Sequence, residues 1–212
     1  MINEKDLLLY FIMGSDNTKR NPSQVLQEAI DGGVTIFQYR EKGLHVKKGE
    51  DKIQLGKQLR KICQEKGVPF IVNDDIDLAI QLGADGVHLG QGDEPIKEAR
   101  EKLPNNFPIG ISVSTIEEAV LAEQQGASYL GVGPIFETAT KPGKKPIGIQ
   151  TIRDITEKVN IPIVAIGGVK KSNAMQIKKA GAAGISVITA ISQAGDAEQA
   201  ARELREQLDK VQ

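Results

Sequence analysis

Short runs rich in Val, Ile and Leu alternate along the chain with longer segments whose apolar residues recur every three or four positions, the patterns of strand and amphipathic helix. The strand pattern falls on LLLYFIMG, VTIFQYR, PFIVND, GVHLG, PIGISV, YLGVGPIF, PIVAIGGV and GISVITAI, and a helical segment follows each, ending in AEQAARELREQLDKV. Three strands open with proline, at Pro69, Pro108 and Pro162, where a missing N–H costs the ladder least. Gly32, Gly83, Gly126 and Gly181 stand where helices stop, and a left-handed C-terminal turn is expected at each. Their Gly-Ala and Gly-Gly echoes form a weak internal repeat of one βα unit.

Near-continuous apolar strands imply a parallel sheet covered on its outside, and eight βα units are the number that closes a barrel. The expected fold is therefore α/β, a (β/α)8 TIM barrel of parallel strands forming one domain over residues 1–212. An open, doubly wound sheet is the alternative, and it ranks second because no GxGxxG follows the first strand. The longest irregular piece, ETATKPGKKPIG at 137–148, reads as a mobile loop after strand six.

Charge narrows the function. With 27 Lys and Arg against 28 Asp and Glu, the net charge is −1. No global field draws nucleic acid or an anionic membrane, so any anion site is local. Cys63, at helical spacing from Leu55, Leu59 and Ile62, is expected to fill an inner face rather than perform redox chemistry. The apolar run near the N-terminus is too short to span a bilayer and has an acidic approach, so a cytoplasmic protein is expected. Homo-oligomerisation is left open.

In a parallel barrel the C-terminal strand ends meet on one face. Strand two brings Gln38, Arg40, Glu41 and Lys42 to that rim, strand three Asn73, Asp74 and Asp75, and strand four His88, Gln91 and Asp93. Strand five adds Ser112 and Ser114, strand six Thr138, Thr140 and Lys141, strand seven Gly167 and Gly168, and strand eight Thr189. Arg40 and Lys42 alternate with Glu41, so the two cations can share a side and suit a polyanionic ligand, although REK alone reads as a solvated loop. Asp74 and Asp93 leave adjacent strands. Without a cation between them they would repel; a Mg2+ held by one or two carboxylates and ligand phosphates is the usual form of such a site. Barrel alternation is expected to turn Asp74 inward, and Asp75 is expected to cap the next helix. Gly167-Gly168 and SVITAI match the monophosphate site that barrels build after strands seven and eight. His88 reads equally as an acid or base and as a satisfied core residue; His45 reads as loop surface. No zinc spacing or Ser/His/Asp arrangement is evident.

With those residues in place, the chain resembles the thiamine phosphate synthase family. The likeness runs from YFIMGSDNTK through FQYREKG, PFIVNDD, GVHLGQGD, GISV, GVGPIFETATK and AIGGV to VITAIS. It implies a transferase that joins hydroxymethylpyrimidine diphosphate to a thiazole phosphate, releases pyrophosphate and uses magnesium. By the same resemblance Asp74 and Asp93 would bind the metal, while Arg40, Lys42, Asn73, Ser112 and Lys141 would hold the diphosphate. Gln38 would contact the pyrimidine, and Thr138 and Thr140 would line the space between the substrates. Gly168, Ile188 and Thr189 would hold the thiazole phosphate. Two positions depart from the family pattern: Thr189 stands where many members have serine, and Ser114 where many have histidine. The rival readings are a related thiazole tautomerase, which needs no diphosphate cluster, and a non-catalytic sensor of phosphate metabolites.

Overall fold

Side chains alternate along the first strand, so Leu9, Phe11 and Met13 face one way and Tyr10 and Ile12 the other, and the two sets join different apolar clusters. The computed structural model describes residues 2–138, 143 and 145–211. Its strands are β1 Leu9–Met13, β2 Ile36–Tyr39, β3 Phe70–Asn73, β4 Gly86–Leu89, β5 Ile109–Val113, β6 Tyr129–Val132, β7 Ile163–Ile166 and β8 Gly184–Val187. All pair in parallel in chain order, and β8 returns to β1 to close the barrel. The expected (β/α)8 architecture is thus present, and the open sheet is excluded.

Outward residues pack beneath the surrounding helices in the larger cluster. Phe11, Phe37 and Phe70 form one row of it across β1, β2 and β3, with ring centroids 5.6 and 5.9 Å apart. Inward residues Tyr10, Ile12, Ile36, Ile71, Tyr129 and Val164 fill the lumen. Cys63 belongs to the outer seam, on α2 (Gly49–Lys66), and is buried as its helical spacing required. Burial pushes its thiol up to about 12, so the folded protein is expected to resist iodoacetamide at neutral pH and to react once unfolded. Rapid alkylation of the native protein, read by mass spectrometry, would contradict that placement.

The three prolines sit one residue before their strands rather than at the first position. Each still serves the ladder through its carbonyl: Pro69, Pro108 and Pro162 accept from Phe37, Val87 and Leu130 of the preceding strand, all at 3.0 Å. A residue with no N–H loses nothing there. Among the expected helix stops, Gly83, Gly126 and Gly181 have positive φ, but Gly32 does not; its neighbour Gly33 takes the left-handed turn at φ 106°. Gly32 is needed for a different reason. A Cβ there would lie 2.3 Å from the Glu198 carbonyl oxygen, where α9 (Ala197–Asp209) crosses the end of α1 (Pro22–Asp31).

Gly110 makes room inside the lumen. A Cβ there would stand 2.2 Å from Tyr129 Cζ and 2.5 Å from His88 Nδ1. Gly110→Ala is therefore expected to cost about 1–3 kcal/mol as an overpacked core substitution, read from the urea midpoint. An unchanged midpoint would mean that the rings can move aside.

Candidate active site

The C-terminal mouth of the barrel gathers the charged rim. Asn73 continues the inward alternation of Ile71, so plain alternation would turn Asp74 outward, contrary to the expectation from sequence. What brings Asp74 to the mouth is a left-handed backbone, φ 61°, uncommon for a residue with a side chain. Its N–H still bonds the His88 carbonyl at 2.9 Å, which ties the turn to β4. The carboxylate accepts from Lys42 Nζ at 2.7 Å. Asp75 caps α3 (Ile76–Gln81), accepting from the Leu78 N–H at 2.9 Å, and pairs with Lys52 at 2.7 Å.

Asp93 holds the β4–α4 turn by accepting from the Gly90 N–H at 2.7 Å, α4 being Ile96–Lys102. Burial first, and then the neighbouring Asp74 carboxyl, holds the Asp93 carboxyl above the usual range. The two acids expected to approach each other do so. Arg40 and Lys42 open onto the same cleft, with Asn73, Ser112 and Gln91, whereas Glu41 turns away to bind the Ser15 N–H and hydroxyl and the Lys47 N–H. Burial draws the Arg40 pKa down, and the charge of Asp74 opposes that. Ser114 donates its N–H and hydroxyl to Glu118 at 2.6 and 3.0 Å, just before the Thr115 cap of α5 (Ile116–Gln124).

Below this cleft lies a narrower pocket lined by Gln38, Tyr10, Tyr129, His88, Ser112 and Ser186. Gln38 Nε2 is 2.8 Å from Tyr10 Oη, which is 2.8 Å from Tyr129 Oη. Tyr129 Oη is 3.2 Å from His88 Nδ1, and His88 Nε2 is 2.9 Å from Ser112 Oγ. His88 is thus both a hydrogen-bonded lumen residue and part of the pocket wall. The Ser186 hydroxyl is buried without a protein partner.

On the opposite side, a third cavity is lined by Thr138, Gly167, Gly168, Ile188 and Thr189. Gly167 and Gly168 have φ of 96° and 64°. They lie so close to the segment after β6 that a Cβ on Gly168 would be 2.5 Å from the Glu137 carbonyl oxygen. Thr189 opens the short helix α8 (Thr189–Ser192), whose first N–H groups lack partners from an earlier turn. Thr140, Lys141 and most of the centre of the 137–148 loop lie outside the described residues. Tyr10, Tyr129 and Ser186 are site residues that no motif in the sequence marks; their one signal is that each falls on an inward position of its strand.

The profile of the thiamine monophosphate synthase family matches residues 9–191. The chain belongs to that family. It is accordingly a transferase. A thiamine-phosphate synthase from Bacillus cereus is 51% identical over 208 residues, covering 97% of this chain and 94% of the relative. The solved structure of thiamine phosphate pyrophosphorylase from Pyrococcus furiosus superposes with a TM-score of 0.89 at 39% identity, covering 98% of each chain. A 3-hexulose-6-phosphate synthase, with a TM-score of 0.63 at 19% identity over 94% of this chain and 99% of the other, shares the fold alone. Among the described residues no helix is long and apolar enough to cross a membrane.

Proposed function

We propose that this protein joins hydroxymethylpyrimidine diphosphate to a thiazole phosphate, giving thiamine phosphate and pyrophosphate. The observation that carries the reading is the approach of Asp74 and Asp93 beside Arg40 and Lys42, on the same mouth as the Gly167-Gly168 cradle. One cluster suits a magnesium diphosphate and the other a monophosphate. A thiazole tautomerase would have no use for the first.

The donor set fits Mg2+. Two carboxylates from neighbouring strand ends are held together against their repulsion, and oxygen is the ligand this hard cation takes. Among the described residues no third acid, His or Cys joins them, which leaves coordination positions for diphosphate oxygens and water. Bound between Asp74 and Asp93, magnesium would neutralise charge on the diphosphate.

The protein's own contribution is positioning and charge stabilisation. Arg40, Lys42, Asn73, Ser112 and Lys141 hold the diphosphate, and Gln38 contacts the pyrimidine in the lower pocket. Thr138 and Thr140 line the space between the substrates. Gly168, Ile188 and Thr189 hold the thiazole phosphate, chiefly by backbone N–H groups. The methylene C–O bond breaks with its electron pair leaving on the diphosphate, whose charge the cations offset. The pyrimidine-stabilised carbocation is then captured by the lone pair of the thiazole nitrogen, which forms the new C–N bond. No protein nucleophile is required, and the narrow lower pocket excludes water that would otherwise trap the cation. Thr189 keeps the hydroxyl of the commoner serine. At Ser114 the hydrogen bonds to Glu118 give the side chain a capping task with no imidazole.

Incubation with both substrates, with magnesium present or chelated, tests the reading. Mass spectrometry should find thiamine phosphate and equimolar pyrophosphate only with the metal. Binding of both ligands without product would instead favour a sensor.

A further inference from the structure

The lower pocket contains an unbroken hydrogen-bonded chain, Gln38–Tyr10–Tyr129–His88–Ser112, contributed by five strands. Its first four members are buried, and burial pushes both phenols far above their ordinary value, so each keeps its hydrogen. Such a chain can run in either of two senses. In one, the Gln38 amide donates to Tyr10, Tyr10 to Tyr129, Tyr129 to His88 Nδ1, and His88 Nε2–H to Ser112, which leaves the Ser112 hydrogen for a ligand. With the amide turned over, every bond reverses, and the Ser112 hydrogen is used on Nε2.

Only the first sense suits an anion. A diphosphate oxygen accepts and cannot donate, so a serine offering lone pairs alone would repel it. The first sense also leaves Gln38 Oε1 as an acceptor at the far end. A ligand with a hydrogen-bond donor against Gln38 and an anion against Ser112 therefore reinforces the same order at both ends.

We propose that Tyr10, Tyr129 and His88 are positioning residues that hold His88 as its Nε2–H tautomer, so that Ser112 donates its hydroxyl to the diphosphate. This rests on the reading of Ser112 as a diphosphate holder. It assigns His88 neither an acid nor a base role. The chain also links recognition of the ring to the grip on its leaving group.

The protein has two histidines, His45 and His88, so 15N spectra of labelled imidazoles, assigned with His45→Gln, read the tautomer directly. His88 should carry hydrogen on Nε2 and none on Nδ1 in the ligand-free protein. Tyr129→Phe, which keeps the ring, should redistribute the tautomers. A ring protonated on Nδ1 alone, or on both nitrogens, overturns the proposal.

Calorimetric titration with magnesium pyrophosphate separates positioning from mere core satisfaction. Tyr129→Phe should weaken binding about tenfold in the parent protein, the scale of a hydrogen bond to a charged group. It should have no effect in a Ser112→Ala background. Equal losses in both backgrounds overturn the proposal, and Tyr10→Phe provides a second variant for the same comparison. Absence of pyrophosphate binding by the parent protein overturns it together with the diphosphate assignment. Absence of turnover with intact pyrophosphate binding counts against the proposed reaction alone.

Discussion

Asp93→Asn is expected to raise the melting temperature of the metal-free protein while lowering magnesium-dependent turnover by about a hundredfold or more. The two effects have one cause. Burial and the adjacent Asp74 push the Asp93 carboxyl up in the fold, so at neutral pH its ionised form is less favourable there than in the unfolded chain. That penalty is fully present above the folded pKa, shrinks as pH falls through the carboxylate range and disappears below the unfolded value. An amide of the same size removes the charge and keeps an oxygen for the Gly90 N–H. The midpoint should therefore rise at neutral pH, and the rise should fade as pH falls through the carboxylate range.

The same change would remove one of the two carboxylates proposed to hold magnesium, and pyrophosphate release should then collapse. Asp74→Asn should show the kinetic loss without the gain, because Asp74 is already paired with Lys42 at 2.7 Å. That pair is partly exposed and contributes about 0–1 kcal/mol. Calorimetric melting with and without magnesium, beside a pyrophosphate assay, reads both quantities. Unaltered turnover in both asparagine variants would remove these carboxylates from the mechanism.

Gly168→Ala should lower kcat/KM for the thiazole phosphate by about a hundredfold, the cost of displacing a bound group by roughly an ångström. The added methyl meets the Glu137 carbonyl oxygen at 2.5 Å and Phe136 Cβ at 2.7 Å, so one of the two loops that form the proposed phosphate site must move. It also places a side chain at φ 64°, which costs about 1–3 kcal/mol. Gly83→Ala separates these effects. Gly83 has φ 60° with open space where its Cβ would go, far from the mouth, so it bears the backbone cost alone. A Gly168→Ala enzyme no more impaired than Gly83→Ala would show that the close approach at Gly168 does not serve the phosphate.

Much of the barrel is legible because its signals are local. Strand alternation, helical spacing and Gly-Ala stops each lie within a dozen residues, and the Asp75 cap follows from its neighbour Ile76 beginning a helix. Where local signals compete, the sequence leaves the position open by a residue. Gly32 and Gly33 both suit a helix end, and only the approach of α9, more than 160 positions later, decides that Gly32 supplies clearance and Gly33 the turn. Asp74 reaches the expected face by a route that alternation does not foretell, since the strand ends at Asn73 and a left-handed residue redirects the chain. Tyr10 and Tyr129 are harder still. Their hydroxyls meet across the lumen over 119 positions, and nothing in LLYFIM or SYLGV distinguishes a lumen tyrosine with a partner from an ordinary strand aromatic.

The division of the apolar residues into two clusters has a consequence for how this molecule can change. Most of the large aliphatic burial lies in the outer seam between strands and helices, whereas the lumen sets tyrosines, an amide, an imidazole and glycine gaps among a smaller group of isoleucines and a valine. Durability and chemical taste are therefore entrusted to different sides of the same strands. Lineages of this fold can retune what enters the mouth through every second residue while the alternate positions keep the cylinder standing.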